Sequence, residues 1–189
     1  MLDLGFKVAH TAYVNKAFSD AQVLADTPIF SDYQQLDKKY PNSKFIYLSR
    51  ELSLWLPSIK QLLNRMEVNL LRTDGGFNLS IKRCYTNIFS PFTLNNINDD
   101  DFLTRCYLKH QQEVFNYFTD RSEDLLIINL AEEGSYQSLL SFCLAINNTI
   151  VSGEGKFKTL NVGSKVTAWK DIKSPLKIES TRNGRVDLA

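Results

Sequence analysis

The stretch KFIYLSRELSLWLPS, residues 44–58, begins as a continuous apolar run and changes to a helical pattern directly after Arg50. A short apolar run bounded by turn signals is typical of a strand that is buried on both faces. We therefore predict a strand over Lys44–Ser49. A buried strand that leads straight into a helix is the unit from which parallel sheets covered by helices are built.

The helix after this strand has the strongest periodicity in the sequence. Its apolar residues fall three and four positions apart on one helical face, at Leu52, Trp55, Leu56, Ile59, Leu62, Leu63 and Met66. Pro57 interrupts the pattern, because a proline inside a helix removes one backbone hydrogen bond unless it lies in the first turn. The sequence therefore predicts a helix that starts later than Ser53.

Strand and helix patterns alternate on both sides of this unit. The predicted elements are a strand at Leu4–His10, a helix at Tyr13–Ala25, a helix from Ser31 to Tyr40, a helix from Asn98 to Asp120, a strand at Leu125–Leu130 and a helix from Gly134. Residues 67–98 give no clear assignment. The predicted fold class is α/β, with a parallel sheet flanked by helices.

The chain has 189 residues, which is the size of one domain. We predict a single domain over residues 1–189, in which residues 152–189 form a basic, loop-rich segment. That segment carries eight Lys and Arg against four Asp and Glu, although the whole chain has a net charge of +1. It can serve an anionic ligand or simply be solvated. The near-zero net charge does not favour a nucleic-acid partner.

The cysteines Cys84, Cys106 and Cys143 are widely spaced and form no CxxC pair. They are therefore expected to be buried free thiols, which fits a reducing cytoplasm better than an oxidising compartment. No apolar run approaches the 18 residues of a membrane span, and the first residues lack the pattern of a secretion signal. The expected location is the cytoplasm.

Arg50 and Ser58 are the first candidate binding residues. In an open parallel sheet, ligands bind beyond the carboxyl ends of the strands, where helix N-termini favour anions. Arginine presents a rigid fork of donors that fits phosphate, and Ser58 would lie about 12 Å further on if all eight steps were helical. The alternative is that Arg50 pairs with Glu51 or another carboxylate and that Ser58 is a polar surface residue.

Several blocks resemble one family in the right order. The segment LSRELSLWLPS, residues 48–58, resembles the signature of sulfotransferases that use 3'-phosphoadenosine 5'-phosphosulfate (PAPS). Residues 4–10, 24–50 and 117–143 resemble successive blocks of the bacterial-type family, and KIESTRNGRVD resembles its C-terminal end. Tyr136 stands where tryptophan is typical.

This resemblance implies a fold like that of the P-loop NTPases. It also implies that Arg50 and Ser58 hold the 3'-phosphate of PAPS, with no metal. In the family, a strand and a Walker A-like loop precede the block that LGFKVAH resembles, whereas this sequence starts at Met1 within the end of the following helix and contains no GxxxxGK[ST]. The expected strand and loop are thus missing here. Either the gene product is longer, or the chain has lost catalysis, or another element fills the gap.

Asp26 and His10 are the candidate bases for sulfuryl transfer to an alcohol or amine. The resemblance places Asp26, in LADTP, where the family has its catalytic base before a proline. The alternative is an Asx turn into Thr27-Pro28. His10 ends the first predicted strand, and histidine is a common general base near neutral pH, although a structural role is the commoner one. His110 falls on an apolar helical stripe, which predicts a packed residue.

The remaining candidates lie in the basic segment and in an acidic run. Arg182 and Arg185 could fold over the 3'-phosphate, as C-terminal segments do in similar enzymes, or be solvated. Asp99–Asp101 lack the other ligands of a calcium loop and are explained as a helix cap.

Two functions remain open. The first is a sulfotransferase that transfers a sulfuryl group from PAPS to an unknown small-molecule or glycan acceptor. The second is a non-catalytic binding or interaction protein that keeps the fold. The acceptor cannot be read from the sequence, because acceptor specificity lies in variable loops, here expected at residues 67–98.

Overall fold

The computed structural model describes residues 1–146, 155–158 and 168–179. The chain divides into two compact units. The terminal unit comprises Met1–Asp26 and the described residues from Ile128 onward, and the central unit comprises Thr27–Ile127. A single domain over residues 1–189 stays a prediction.

The described chain contains four strands and six α-helices, and three of the helices follow one another between β3 and β4. The strands are β1 (Val8–His10), β2 (Val23–Ala25), β3 (Phe45–Ser49) and β4 (Leu125–Asn129). The helices are α1 (Asn15–Asp20), α2 (Ile29–Lys39), α3 (Leu52–Leu71), α4 (Leu79–Ile88), α5 (Asp100–Tyr117) and α6 (Ser135–Ile146). Short 3₁₀ turns lie at Leu2–Leu4, Asn96–Asn98, Thr119–Asp124 and Trp169–Asp171. The predicted α/β class, with parallel strands flanked by helices, is confirmed.

The sheets are small. β1 pairs with β2 in one two-stranded sheet, and β3 pairs with β4 in another. β1 and β2 run parallel, with Val8 opposite Val23 and His10 opposite Ala25. Because these two strands are parallel, the residues that follow them emerge at the same edge.

The predicted helix at Tyr13–Ala25 is wrong in its second half. Helix α1 ends at Asp20, and β2 follows it directly. The backbone N–H groups of Gln22 and Val23 donate to the carbonyl of Lys7, at 2.9 and 3.0 Å. Pairing with β1 therefore overrides a helical spacing of apolar residues, because strand formation depends on a neighbouring strand more than on local preference.

The predicted strand at Leu4–His10 is shorter than expected. Leu2–Leu4 form a 3₁₀ turn that ends at Gly5. Gly5 has φ +87°, a left-handed conformation that glycine adopts at little cost. Only Val8–His10 remain extended.

Residues 176–178 pair with the free side of β1 within the terminal unit. Val8 donates its N–H to Leu176 O, and Ile178 donates its N–H to Val8 O, both at 2.9 Å. The bridge between Val8 and Lys177 is parallel. The strand β1 is thus paired on both sides, and beneath it lies a small buried core of Ala9, Ala12, Val14 and Ala17.

The main core of the central unit is helical. It joins α3, α4 and α5 through buried residues at helical spacing, namely Leu63, Leu70, Tyr85, Phe89, Ile97, Phe102, Leu103 and Cys106. Residues 67–98, unassigned from the sequence, supply the end of α3 and all of α4. Across both units, Cys84, Cys106 and Cys143 are buried free thiols, as expected.

Helix α3 starts earlier than predicted. It runs over Leu52–Leu71 with Pro57 inside it. The proline removes only the bond that its own N–H would have made, one turn from the start of a 20-residue helix. Burial of Leu63 and Leu70, which are 0% and 3% exposed, outweighs that loss.

A buried ionic network joins α2, α5 and the start of β3 in the central unit. Arg121 binds the Asp37 carboxylate through Nη2 at 2.6 Å and approaches Asp124 through Nη1 at 3.3 Å. Tyr117 donates its hydroxyl to Asp37 at 2.8 Å. Lys44, which precedes β3, forms an ion pair with Asp124.

Removing the Asp37 charge is expected to destabilise the protein. Losing one partner of a buried ion pair costs about 3–5 kcal/mol. Because the Arg121 side chain is 39% exposed, water relieves part of that penalty, and we expect Asp37→Asn to lose about 2–3 kcal/mol in urea unfolding. Asp120→Asn, an exposed carboxylate in the same turn as Arg121, should change stability by less than about 0.5 kcal/mol. Equal effects of the two variants would contradict the assignment.

The same network predicts a dependence on pH. The hydrogen bond from Arg121 lowers the pKa of Asp37 below its usual 3.8. A carboxylate with a lowered pKa stabilises the folded state above its unfolded pKa, and this contribution is lost as the pH falls through the folded pKa. The stability difference between wild type and Asp37→Asn should therefore shrink below about pH 4. A difference that stays constant down to pH 2, measured by urea unfolding, would contradict this.

Candidate functional site

The two candidate bases lie together at one edge of the β1–β2 sheet. His10 is the last residue of β1, and Asp26 directly follows Ala25, its partner in β2. His10 Nε2 is 3.8 Å from Asp26 Oδ2, and the two side chains are 44% and 35% exposed. The parallel pairing thus brings a carboxylate and an imidazole together at the carboxyl end of two strands, which is where α/β proteins place ligands.

The backbone at Asp26 is turned. Asp26 has φ +68° and Thr11 has φ +65°, so each strand is followed directly by a residue with a positive φ. Thr11 N–H donates to Ala25 O at 2.8 Å, which carries the pairing one step past His10. Aspartate tolerates the left-handed region better than most residues. Asp26 therefore has a role in the turn as well as presenting its carboxylate to His10.

Trp169 stacks on His10 within the terminal unit. The ring centroids are 5.5 Å apart and the planes differ by 25°. Lys177 fixes Trp169 from the paired C-terminal segment, because its Nζ donates to Trp169 O at 2.6 Å and lies 5.1 Å from the ring centroid. The imidazole of His10 thus has two neighbours, the carboxylate of Asp26 and the indole of Trp169.

Arg50 lies at the junction between β3 and α3 in the central unit. Tyr107 of α5 binds its backbone, since the hydroxyl accepts the Arg50 N–H at 3.0 Å and donates to Arg50 O at 3.1 Å. The Arg50 side chain is exposed. Among residues 1–146, 155–158 and 168–179, no hydrogen bond or ion pair engages its guanidinium, and in particular none joins it to Glu51.

Ser58 is the seventh residue of α3, and its side chain is exposed. It lies about 9 Å along the helix axis from Leu52, at ~1.5 Å per residue. The N-cap residue Glu51 makes no capping hydrogen bond through its side chain, and the first turn contains no acidic residue. The positive end of the α3 dipole is therefore not offset by a carboxylate inside the first turn.

His110 is a packed residue, as the sequence predicts. Its ring contacts Tyr33 and Tyr47, at centroid distances of 6.3 and 6.0 Å. Its Nε2 lies 2.8 Å from Phe30 O. The His110 side chain is therefore engaged in contacts within the central unit.

The acidic run before α5 is a helix cap, as predicted. Asp99 accepts the N–H of Asp101 at 2.9 Å, and Asp100 pairs with Lys60 at 2.7 Å. In the part of the chain that the structure describes, no group of three or more His, Cys, Asp or Glu residues is arranged to hold a metal ion. None of the described helices combines the length and apolar character that crossing a bilayer requires.

Two candidate residues cannot be compared with the structure, and two residues near the candidate site were not predicted from the sequence. Arg182 and Arg185 lie outside the described residues, so their role stays a prediction. Tyr107 was missed because its position on an apolar helical stripe indicates packing and says nothing of its hydroxyl. Trp169 was missed because it belongs to no periodic pattern, and only its being one of two tryptophans could have drawn attention to it.

The sequence profile of the sulfotransferase domain matches residues 4–145, well over half of the chain. The chain therefore belongs to the sulfotransferase domain family, and the resemblance seen in its sequence blocks is confirmed. Neither the comparison with curated proteins nor that with solved structures finds a match. His10, Asp26, Arg50 and Ser58 all lie inside the matched range.

The turn at Asp26 can be separated experimentally from its charge. Asparagine removes the charge and still tolerates a positive φ, whereas alanine does not. We expect Asp26→Ala to lose about 1 kcal/mol more than Asp26→Asn in urea unfolding. The matched pair at Asp20, the last residue of α1, should not show this order, because alanine suits a helix better. Equal stabilities of the two Asp26 variants would contradict a strained turn.

Proposed function

We propose that this protein binds PAPS and transfers its sulfuryl group to a hydroxyl or amine of a small-molecule or glycan acceptor. The observation that carries the proposal is the exposed Arg50 guanidinium, which engages no described residue and stands directly before α3. Membership of the sulfotransferase domain family supports the reaction class. PAPS as donor is what that class implies.

Arg50 is assigned to the 3'-phosphate of the donor. A guanidinium can give two parallel N–H···O bonds to phosphate, which fix both distance and orientation. Since the start of α3 has no side-chain cap, its free N–H groups and dipole also favour an anion at the same junction. Charge and geometry at Arg50 thus suit a phosphate group.

Ser58 is assigned to the same phosphate. Its exposed hydroxyl can donate one hydrogen bond to a phosphate oxygen, which is weaker than the charged contact from Arg50. For both residues to bind one phosphate, the long Arg50 side chain must extend along the first turns of α3. Arg182, assigned to the same phosphate by resemblance, completes the set of proposed donor-binding residues.

Asp26 and His10 are assigned to the acceptor. A lone pair on the acceptor oxygen or nitrogen forms a bond to sulfur, and the bond between sulfur and the 5'-phosphate oxygen breaks. The electron pair of that bond stays on the phosphate, which leaves adenosine 3',5'-bisphosphate. Asp26 takes the proton that the acceptor loses, and His10, 3.8 Å away, stabilises the changing charge. The alternative is that His10 takes the proton and Asp26 orients its ring.

Two finer points remain part of the proposal. A cytoplasmic location is proposed and is supported by the free thiols, since reduced cysteines are usual in that compartment. The expectation of a variable loop over residues 67–98 is wrong for most of that range, which forms the end of α3 and all of α4. Acceptor recognition is therefore proposed for the connecting residues 72–78 and 89–95, because loops carry substrate specificity on a shared fold.

Calorimetric titration of adenosine 3',5'-bisphosphate into the 189-residue chain tests the donor site, with 5'-AMP as the control ligand. We expect saturable binding that prefers the 3'-phosphate. Arg50→Ala should weaken it about 10- to 100-fold, and Ser58→Ala about 3- to 10-fold, as expected for a charged and a neutral hydrogen bond.

Arg105→Ala is the matched charge control. Arg105 is exposed on α5, two residues and therefore about 200° around the helix from Tyr107. It should leave binding unchanged. If Arg50→Ala binds like wild type, the assignment of Arg50 is wrong.

Sulfuryl transfer is tested with the full gene product, radiolabelled PAPS and a panel of phenols, alcohols and amines. Asp26→Asn and His10→Gln should each lower turnover by about 100-fold or more, the usual contribution of a general base. Asp20→Asn, an exposed carboxylate of the same unit, should retain wild-type turnover. Donor binding with no transfer to any acceptor would support instead the second function, a non-catalytic protein that keeps the fold.

A further inference from the structure

We propose that Tyr107 is the positioning residue of the donor site, and that its hydroxyl gives the protein part of its preference for a 3'-phosphate. This inference rests on the proposed function, because it assumes that Arg50 binds that phosphate. Tyr107 itself touches only the protein. It acts through the main chain of Arg50.

The contact is unusual in using both polar backbone groups of one residue. The Tyr107 hydroxyl accepts the N–H of Arg50 at 3.0 Å and donates to its carbonyl at 3.1 Å. At the end of a strand these groups would otherwise bind water or a neighbouring strand. One hydroxyl therefore fixes the Arg50 backbone while leaving the guanidinium exposed.

The ring of Tyr107 holds the other side of the junction. It packs against Trp55 at a centroid distance of 4.8 Å. Trp55 lies in the first turn of α3, and its N–H donates to Glu51 O at 2.9 Å. The same side chain thus contacts the end of β3 and the beginning of the helix that carries Ser58.

The support behind Tyr107 is rigid. Its neighbours on α5, Leu103 and Cys106, are 0% and 9% exposed and belong to the main core. A side chain mounted on a packed helix holds a binding residue more accurately than a loop does. The position of Arg50 is therefore set by the central core through a single hydroxyl.

This arrangement has an energetic consequence for binding. An arginine side chain loses up to about 2 kcal/mol of rotamer entropy when it is fixed. If its backbone is mobile as well, the ligand must also order the main chain before a two-pronged contact can form. A fixed Arg50 backbone removes that second cost and keeps the fork aligned with phosphate.

If Tyr107 had only a structural role, the binding measurements would give a different result. If the hydroxyl served only the fold, its loss would lower stability and weaken the binding of all nucleotides alike. A positioning role predicts a selective loss, in which the affinity for adenosine 3',5'-bisphosphate falls and that for 5'-AMP does not. The ratio of these two affinities is therefore the readout.

The experiment compares wild type, Tyr107→Phe and Tyr117→Phe by calorimetry at a temperature where all three are folded. Tyr117→Phe is the matched control, since it removes a hydroxyl from the same helix, one that binds Asp37. We expect Tyr107→Phe to lower the preference for the 3'-phosphate by about 5- to 10-fold, the effect of one or two hydrogen bonds. Tyr117→Phe should lose stability but keep the preference.

Amide hydrogen exchange gives a second measurement that needs no ligand. Residues 50–52 should exchange faster in Tyr107→Phe than in wild type, and their exchange should be unchanged in Tyr117→Phe. An unchanged preference, or unchanged exchange at residues 50–52, would overturn the inference for Tyr107. A wild-type chain with no preference for the 3'-phosphate would overturn the donor site itself, and the two failures are thus distinguishable.

Discussion

The central unit depends on a charge that it buries. The Asp37 carboxylate is only 7% exposed, and such a charge is tolerated because Arg121 and Tyr117 supply hydrogen bonds to it. Arg121 also reaches Asp124, which in turn binds Lys44. Since Lys44 precedes β3 directly, the network fixes the beginning of that strand.

The strand β3 is therefore held at both ends by side chains of one region. Tyr107 of α5 binds its far end at Arg50, while Arg121, just after α5, reaches its beginning through Asp124. The prediction that β3 is buried on both faces is wrong, because none of its residues is fully buried and Leu48 is 57% exposed. Polar contacts at its two ends therefore hold β3 in place, whereas apolar burial stabilises α3 and α5.

Some elements of this fold can be predicted from the sequence, and others cannot. The apolar run of β3 and the spacing of α3 could be predicted, because each depends on its own residues. The strand β2 could not be predicted, since Val23 is extended only because β1 lies beside it. In the candidate site, Arg50 and Ser58 follow from a motif, and His10 and Asp26 from strand ends and resemblance. Tyr107 depends on a hydroxyl contact 57 residues away in the chain, which no local pattern encodes.

The terminal unit is assembled from distant parts of the chain. Val8 pairs with residues 176–178, so the residues of the central unit are inserted in the sequence between two segments that pair in one small sheet. During synthesis on the ribosome, residues 27–127 are complete before the partner of Val8 exists. The central unit can therefore fold early, whereas His10 acquires Trp169 as its neighbour only after residues 27–127 have been synthesised. Closing so long a loop costs entropy before any contact repays it. The environment of His10 accordingly forms after the central unit, and a chain cut short before residue 169 would keep Arg50 and Tyr107 but lack this environment.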